Sequence, residues 1–400
     1  MAERLRILTI NHISGSGLAR LPAARYLAGP GVDRPDAILV RSADLHKAEI
    51  PASVRAIGRA GAGTNNIPVA AMSRRGVPVF NAPGANANAV KELVIAGLLM
   101  AARNVVPALS FVASLADRAE AADDAGLDAL VEAGKKDYAG YELAGRTLGV
   151  IGLGRIGRLV AEAALALGMD VLGHDPEITV DAAWSLPATV RRASSVEQVL
   201  RASEFVTLHV PLVDATRHLI DATRLATMRR GAVLANFARE AIVDAAAVRA
   251  ALDSGQLHAY LSDFPSRALF GHPRAVALPH LGASTREAED NCAVMVVDQL
   301  RDFLEHGNIR NAVNFPDVSM AREAPYRLGI ANANVPNMLG QISTALARAG
   351  LNIHNMINKS RAEMAYTLVD VDSAVSAPTC DELAAIDGVL AVRYLPVPGE

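Results

Sequence analysis

Short apolar runs at 5–10, 37–40 and 77–80 are separated by glycine-rich turns and helical stretches, which predicts a small parallel-sheet unit. An Ala-rich helical pattern over 88–103 leads out of it, and a polar Ala/Asp/Glu segment at 117–136 reads as surface. Strand-like runs return at 148–151, 169–173, 205–210, 232–235 and 275–278, alternating with helical patterns, as a doubly wound sheet requires. The helical stretch 286–306 closes no further strand–helix unit and is free to return the chain to the first domain. The pattern therefore predicts a discontinuous first domain (1–100 with 286–314), an inserted domain (101–285) and a cleft between them suited to hinge closure. After Asn314-Phe315-Pro316 it becomes strand 326–332, helix 338–349, strands 353–359 and 365–371, helix 379–386 and strand 389–395. That order, βαββαβ, predicts a ferredoxin-like module over 322–400.

Composition narrows the class. Four hundred residues exceed one hydrophobic core, and 51% apolar with 20% charged residues suits a helix-rich α/β protein. A net charge of −3 gives no reason to expect a nucleic-acid partner. Cys292 and Cys380 show no metal-ligand spacing, so no metal is expected and a reducing cytoplasm fits. The start of the chain runs straight into a strand-like stretch without a long apolar signal core, and no uncharged run reaches membrane length. Neither export nor membrane insertion is expected.

The most informative motif is Gly152-Leu153-Gly154-Arg155-Ile156-Gly157, behind one apolar run and ahead of a helical pattern. Gly152 permits a tight strand-to-helix turn, Gly154 lets backbone N–H groups approach a pyrophosphate, and Gly157 lets the helix sit close to its strand. Phosphates would then meet the positive end of a helix dipole. Asp175 stands where a carboxylate accepts hydrogen bonds from ribose hydroxyls and repels a 2′-phosphate, which favours NAD over NADP.

Hydride transfer at a hydroxyl-bearing carbon needs a proton acceptor and a cation for the neighbouring carboxylate. His280, in Pro279-His280-Leu281-Gly282, follows the run 275–278 and emerges at a strand's carboxyl end, where ligands of open α/β sheets gather. Imidazole can act as base in oxidation and acid in reduction. The alternative is a loop histidine without a role. Arg239, in Asn236-Phe237-Ala238-Arg239, also follows a strand, and its planar fork suits a carboxylate; the alternative is a surface arginine. His209, Val210 and Pro211 read as cofactor-pocket wall, the last two near the adenine.

These residues carry a resemblance. With Val40-Arg41-Ser42, Gly61-Ala62-Gly63-Thr64-Asn65, Phe80-Asn81-Ala82-Pro83 and Glu92-Leu93-Val94, the chain resembles the D-2-hydroxyacid dehydrogenases of the D-3-phosphoglycerate dehydrogenase type over almost its whole length. The fold this implies is α/β: a Rossmann-type nucleotide-binding domain inserted in a flavodoxin-like substrate domain. The resemblance implies an NAD cofactor held by Gly152, Gly154, Arg155, Ile156, Gly157, Asp175, His209, Val210, Pro211, Ala238, Asp263 and Gly282. It implies a phosphorylated 2-hydroxy acid as substrate, its carboxylate on Arg239 and its proton exchanged with His280. Arg41, Arg59, Ala60, Gly61 and Asn86 would line the substrate side, although Arg41, Arg59 and Lys91 equally suit solvated charges. A homodimer or homotetramer is implied as well.

Two departures bear on the chemistry. The family places a Glu three residues after Phe264, where it supports the imidazole, and this chain has Arg267. An arginine cannot accept that hydrogen bond, and pointed inward it would repel an imidazolium. The family's Asp two residues before the Phe is Ser262 here, with Asp263 beside it. Either Asp263 stands in for one of these acids or His280 works without a carboxylate. A milder departure is Glu240, where a Gly usually follows the arginine. The C-terminal module resembles an ACT domain, which implies an L-serine effector near Asn332, Asn334 and Asn352, with Asn332 replacing a histidine and Asn337 a glycine; the alternative is a module kept for dimerisation. Rival readings are a hydroxypyruvate or glyoxylate reductase, and an NAD-sensing interaction protein with weakened catalysis.

Overall fold

The structure, a computed structural model, describes residues 4–116, 118 and 123–396. Part of the polar segment 117–136 lies outside them; the described part forms helix Asp124–Gly134, which buries no residue. The chain divides into two compact units, Met1–Asn86 with Arg286–Glu400, and Ala87–Thr285. No single helix among the described residues is long and apolar enough to cross a membrane.

In the first unit, β1 (Leu5–Ile10), β2 (Tyr26–Gly29), β3 (Ala37–Val40), β4 (Ala56–Arg59) and β5 (Val79–Phe80) form a parallel sheet. Its order β2-β1-β3-β4-β5 is the doubly wound 2-1-3-4-5 arrangement of flavodoxin-like folds. The apolar pattern does not mark β4, because Gly58 breaks its run. A Cβ there would lie 2.8 Å from Leu300 and Val296, so the glycine is what lets helix Arg286–His306 close onto the sheet. Val296, Leu300 and Phe303 of that helix share a core with Ile7, Leu39 and Phe80.

The second unit holds seven parallel strands: β6 (Thr147–Ile151), β7 (Asp170–His174), β8 (Arg191–Arg192), β9 (Phe205–Leu208), β10 (Ala232–Asn236), β11 (Leu257–Ser262) and β12 (Ala275–Ala277). The order β8-β7-β6-β9-β10-β11-β12 reverses direction between β6 and β9, the switch point at which open α/β sheets bind ligands. Strand β11 is invisible to the apolar pattern, since Leu257-His258-Ala259-Tyr260-Leu261-Ser262 has no β-branched residue. It is nevertheless buried, paired with both β10 and β12.

The C-terminal part of the first unit contains β13 (Tyr326–Ala333), β14 (Ile353–Arg361), β15 (Met364–Val371) and β16 (Val389–Pro396). They form an antiparallel sheet of order β14-β15-β13-β16. With helices Met338–Arg348 and Ala377–Ala384 this is the ferredoxin-like βαββαβ topology. One face of the sheet packs on those helices through Ile330, Val369, Ile342, Leu346 and Leu383. The other contributes Ala331, Tyr366 and Leu368 to the core built around Phe303 and Phe315. Three polar side chains fix that junction. Arg393 lies 4.3 Å over the Phe303 ring and donates to the Phe303 and Leu304 carbonyls, while the Tyr366 hydroxyl donates to the Gly307 carbonyl. Fully buried Arg327 makes a two-pronged pair with Asp370 (2.6 and 2.8 Å) and donates to the carbonyls of His306, Met320 and Ala321. Carbonyls left over at a helix end are thus satisfied from the module.

Candidate active site

The glycine turn is built as the sequence requires. Gly152 has φ +91°, and a Cβ there would meet the His209 carbonyl at 2.6 Å; a Cβ on Gly157 would lie 1.9 Å from the Gly152 carbonyl oxygen. The ends of β6 and β9 and the helix Arg155–Ala166 therefore touch through bare backbone. Gly154, the helix N-cap, differs: a Cβ there meets nothing within 4 Å, and no side chain caps the helix. The first N–H groups of the helix are thus left for an anion. Asp175 is tied to the same turn, its Oδ2 accepting from Leu153 N (2.8 Å) and its Oδ1 from Glu177 N (3.0 Å). His209 donates its backbone N–H to the Ile151 carbonyl, its Nε2 lies 2.9 Å from the Thr207 hydroxyl, and its Nδ1 is shut off from solvent without a partner. Burial pushes the ring down to about 3, so it is neutral. An open Gly154, a bare helix start, a fixed Asp175 and an orphaned His209 nitrogen are features that fit a dinucleotide.

Arg239, Asp263 and His280 follow the ends of neighbouring strands. Asn236 and Ser262 are register partners, as are Ser262 and Ala277, so the loops after β10, β11 and β12 leave one sheet edge together. Asn236, fully buried, shapes the first loop: its Oδ1 accepts from Ala238 N (3.2 Å) and its Nδ2 donates to the Arg239 carbonyl (2.9 Å). Arg239 is exposed, and one guanidinium N–H returns to the Ala238 carbonyl (2.6 Å). Among the described residues no acid pairs with it, which leaves its fork for a carboxylate. His280 is exposed at φ +58°, uncommon for a residue with a Cβ, and its N–H donates to the Asp263 carbonyl (3.0 Å). Its ring lies 5.0 Å from that of Phe264.

Asp263 has a different task from the one expected of it. Its Oδ1 accepts from Leu281 N and its Oδ2 from Gly282 N, both at 2.7 Å, and it is 2% exposed. No hydrogen bond joins it to the imidazole among the described residues. It clamps the loop that presents His280, and a Cβ on Gly282 would come within 2.9 Å of its Oδ2. The carboxylate is engaged by backbone amides on both oxygens, and Ser262, which ends β11, accepts from the Phe264 N–H (3.0 Å). Arg267 is exposed at the start of a short 3-10 turn, so it does not point inward. Glu240 needs no glycine, since it does not take a positive φ.

In the first unit, Arg41 pairs with Glu289 and its carbonyl accepts from Arg59 Nε (3.0 Å). Ala60 N donates to the Val40 carbonyl and Gly61 N to the Arg59 carbonyl. A Cβ on Gly61 would strike the Arg59 guanidinium, so the glycine makes room for that side chain. Asn86 is half-buried in the turn at 83–86. In the C-terminal module, Asn332 is buried, donating to the Ala333 carbonyl with its Oδ1 unpaired. Asn334 donates to the Ala362 carbonyl, and Asn352 to Asp372 (2.7 Å). Asn337 adopts φ +65°, a conformation asparagine tolerates, which explains how it replaces a glycine. Sequence reasoning missed Asn236, Thr207 and the Phe264 ring as supports; a buried amide closing an apolar strand was the one signal available.

Comparison with known proteins bears on this geometry. Residues 109–282 match the model of the D-isomer specific 2-hydroxyacid dehydrogenase NAD binding domain. A D-3-phosphoglycerate dehydrogenase of Haemophilus influenzae is 32% identical over 349 residues, 83% of this chain and 79% of the relative. One from Methanocaldococcus jannaschii is 34% identical over 332 residues, covering 79% of this chain and 58% of that longer protein. The crystal structure of TT0316 protein from Thermus thermophilus superposes with a TM-score of 0.62 at 28% identity, over 77% of this chain and 100% of that one.

Proposed function

The chain belongs to the D-isomer-specific 2-hydroxyacid dehydrogenase family, and we propose that it oxidises D-3-phosphoglycerate to 3-phosphohydroxypyruvate with NAD, the opening reaction of serine biosynthesis. The observation that carries this reading is the shared sheet edge from which Arg239 and His280 emerge, with the glycine turn at the switch point of the same sheet. NAD, when bound along Gly152 to Gly157 and Asp175, supplies a hydride acceptor. Arg239 holds the substrate carboxylate through its fork and fixes the orientation of C2. His280 takes the C2 hydroxyl proton onto its imidazole, and returns it in the reverse direction. Asn236 and Asp263 position these two groups without touching substrate. Arg41, Arg59, Ala60, Gly61 and Asn86 are proposed to meet the rest of the substrate, Arg59 its phosphate.

The equilibrium favours reduction, so the test is NADH consumption with phosphohydroxypyruvate beside hydroxypyruvate and glyoxylate. The reading expects the phosphorylated keto acid to give the highest kcat/KM; higher values with glyoxylate or hydroxypyruvate would move the chain to the reductases. The module is proposed to be an ACT domain controlled by L-serine, supported by the unpaired Oδ1 of buried Asn332. Unchanged turnover at millimolar serine would remove that part alone. Self-association through helix Val105–Ser114 is proposed because the helix buries no residue and leaves Leu109 and Val112 exposed. A cytoplasmic location fits two free cysteines.

A further inference from the structure

The N-terminal ends of β1, β3 and β4 form the sheet edge opposite the ends at Val40 and Arg59. There Arg4, Leu5, Arg6, Arg34, Asp36, Ser53 and Arg55 line a cavity of about 420 Å³. Four cations thus face one carboxylate. Asp36 accepts from the Arg6 backbone N–H (2.8 Å) and lies 3.5 Å from the Arg55 guanidinium, while the Ser53 hydroxyl donates to the Pro35 carbonyl. Among the described residues, Arg4, Arg6 and Arg34 have no carboxylate partner, and the Arg6 Nε is buried without any hydrogen bond. Arg34 sits at φ +46°, a conformation that costs energy in a residue with a Cβ and needs a reason. Concentrating like charges in one cavity is unfavourable unless an anion offsets them.

We propose that this cavity binds a small phosphate-bearing anion. The arginines arrive from three chain segments: β1, the turn before β3, and the residue before β4. A planar carboxylate presents two oxygens in one plane, whereas a phosphate presents oxygens in three directions, each able to meet a guanidinium fork. The volume suits a pyrophosphate or a small phosphate ester. Arg393, buried in the junction with the C-terminal module, is pushed down to about 10, chiefly by burial; Tyr366 and Asp36 oppose that shift and Arg55 adds to it.

The test is isothermal titration of pyrophosphate into the full chain saturated with NADH, comparing wild type with the Arg4→Gln/Arg34→Gln double variant, Arg55→Gln and Arg239→Ala. Arg4, Arg34 and Arg55 are exposed, and their replacement should leave NADH consumption without added anion unchanged. The expected result is one pyrophosphate per chain, weakened about tenfold or more by the double variant, weakened less by Arg55→Gln, and unaffected by Arg239→Ala. Equal affinity for wild type and double variant overturns the site, as does absence of binding at millimolar pyrophosphate. Citrate binding as tightly as pyrophosphate overturns the assignment to phosphate.

Discussion

A single nitrogen shows how strongly burial acts on one ring of this fold. His209 would ordinarily take a proton near pH 6.5, yet burial beside β6 withholds it until about 3. Between those values the unfolded chain binds a proton that the folded chain refuses. The residue's contribution to stability is therefore complete above about pH 6.5 and shrinks as pH falls toward 3. Denaturation midpoints of wild type should drop more steeply than those of His209→Gln over that window; parallel curves would show that the ring is not held neutral. His280 is exposed and sits on a left-handed backbone whose N–H donates to the Asp263 carbonyl. His280→Ala should lower kcat by about 10²- to 10⁴-fold while NADH binding persists. A negligible change would mean that another group moves the proton, or that the chain no longer catalyses.

Among the elements, the glycine turn separates folding from binding. Gly157→Ala places a Cβ against the Gly152 carbonyl and should cost about 1–3 kcal/mol of stability, visible in chemical denaturation. Gly154→Ala meets open space and should leave stability within about 0.5 kcal/mol while weakening NAD binding, since the Cβ occupies the approach to the helix start. If both variants bound NAD normally, the turn would not be the cofactor site. This motif was legible because glycine spacing encodes backbone contact directly. Strand β11 was not, since tertiary pairing between β10 and β12 buries a run that has no β-branched residue and only Tyr260 to favour a strand. The role of Asp263 escaped for a related reason: sequence shows an acid beside Phe264, but only the fold reveals that its two oxygens meet the amides of Leu281 and Gly282. Chain order alone could not show that Arg267 turns outward.

Across the whole molecule, the C-terminal module is part of the first unit's core. Removing one partner of the buried Arg327–Asp370 pair strands a charge that also organises the carbonyls of His306, Met320 and Ala321. Asp370→Ala should therefore cost about 3–5 kcal/mol, with the five-stranded sheet and the module unfolding together in urea. A variant as stable as wild type would show that the pair contributes little, and two separate urea transitions would show that the sheet and the module fold separately. The interleaving of the chain also has a consequence for its birth. Ile7 and Leu39 find their partners Val296, Leu300 and Tyr366 only after residues 87–285 have been translated. At roughly 5–20 residues per second, the first strands wait on the order of ten to forty seconds with their apolar faces bare. Synthesis speed and chaperone supply, which no folded-state contact reveals, should govern how much of this protein a cell recovers.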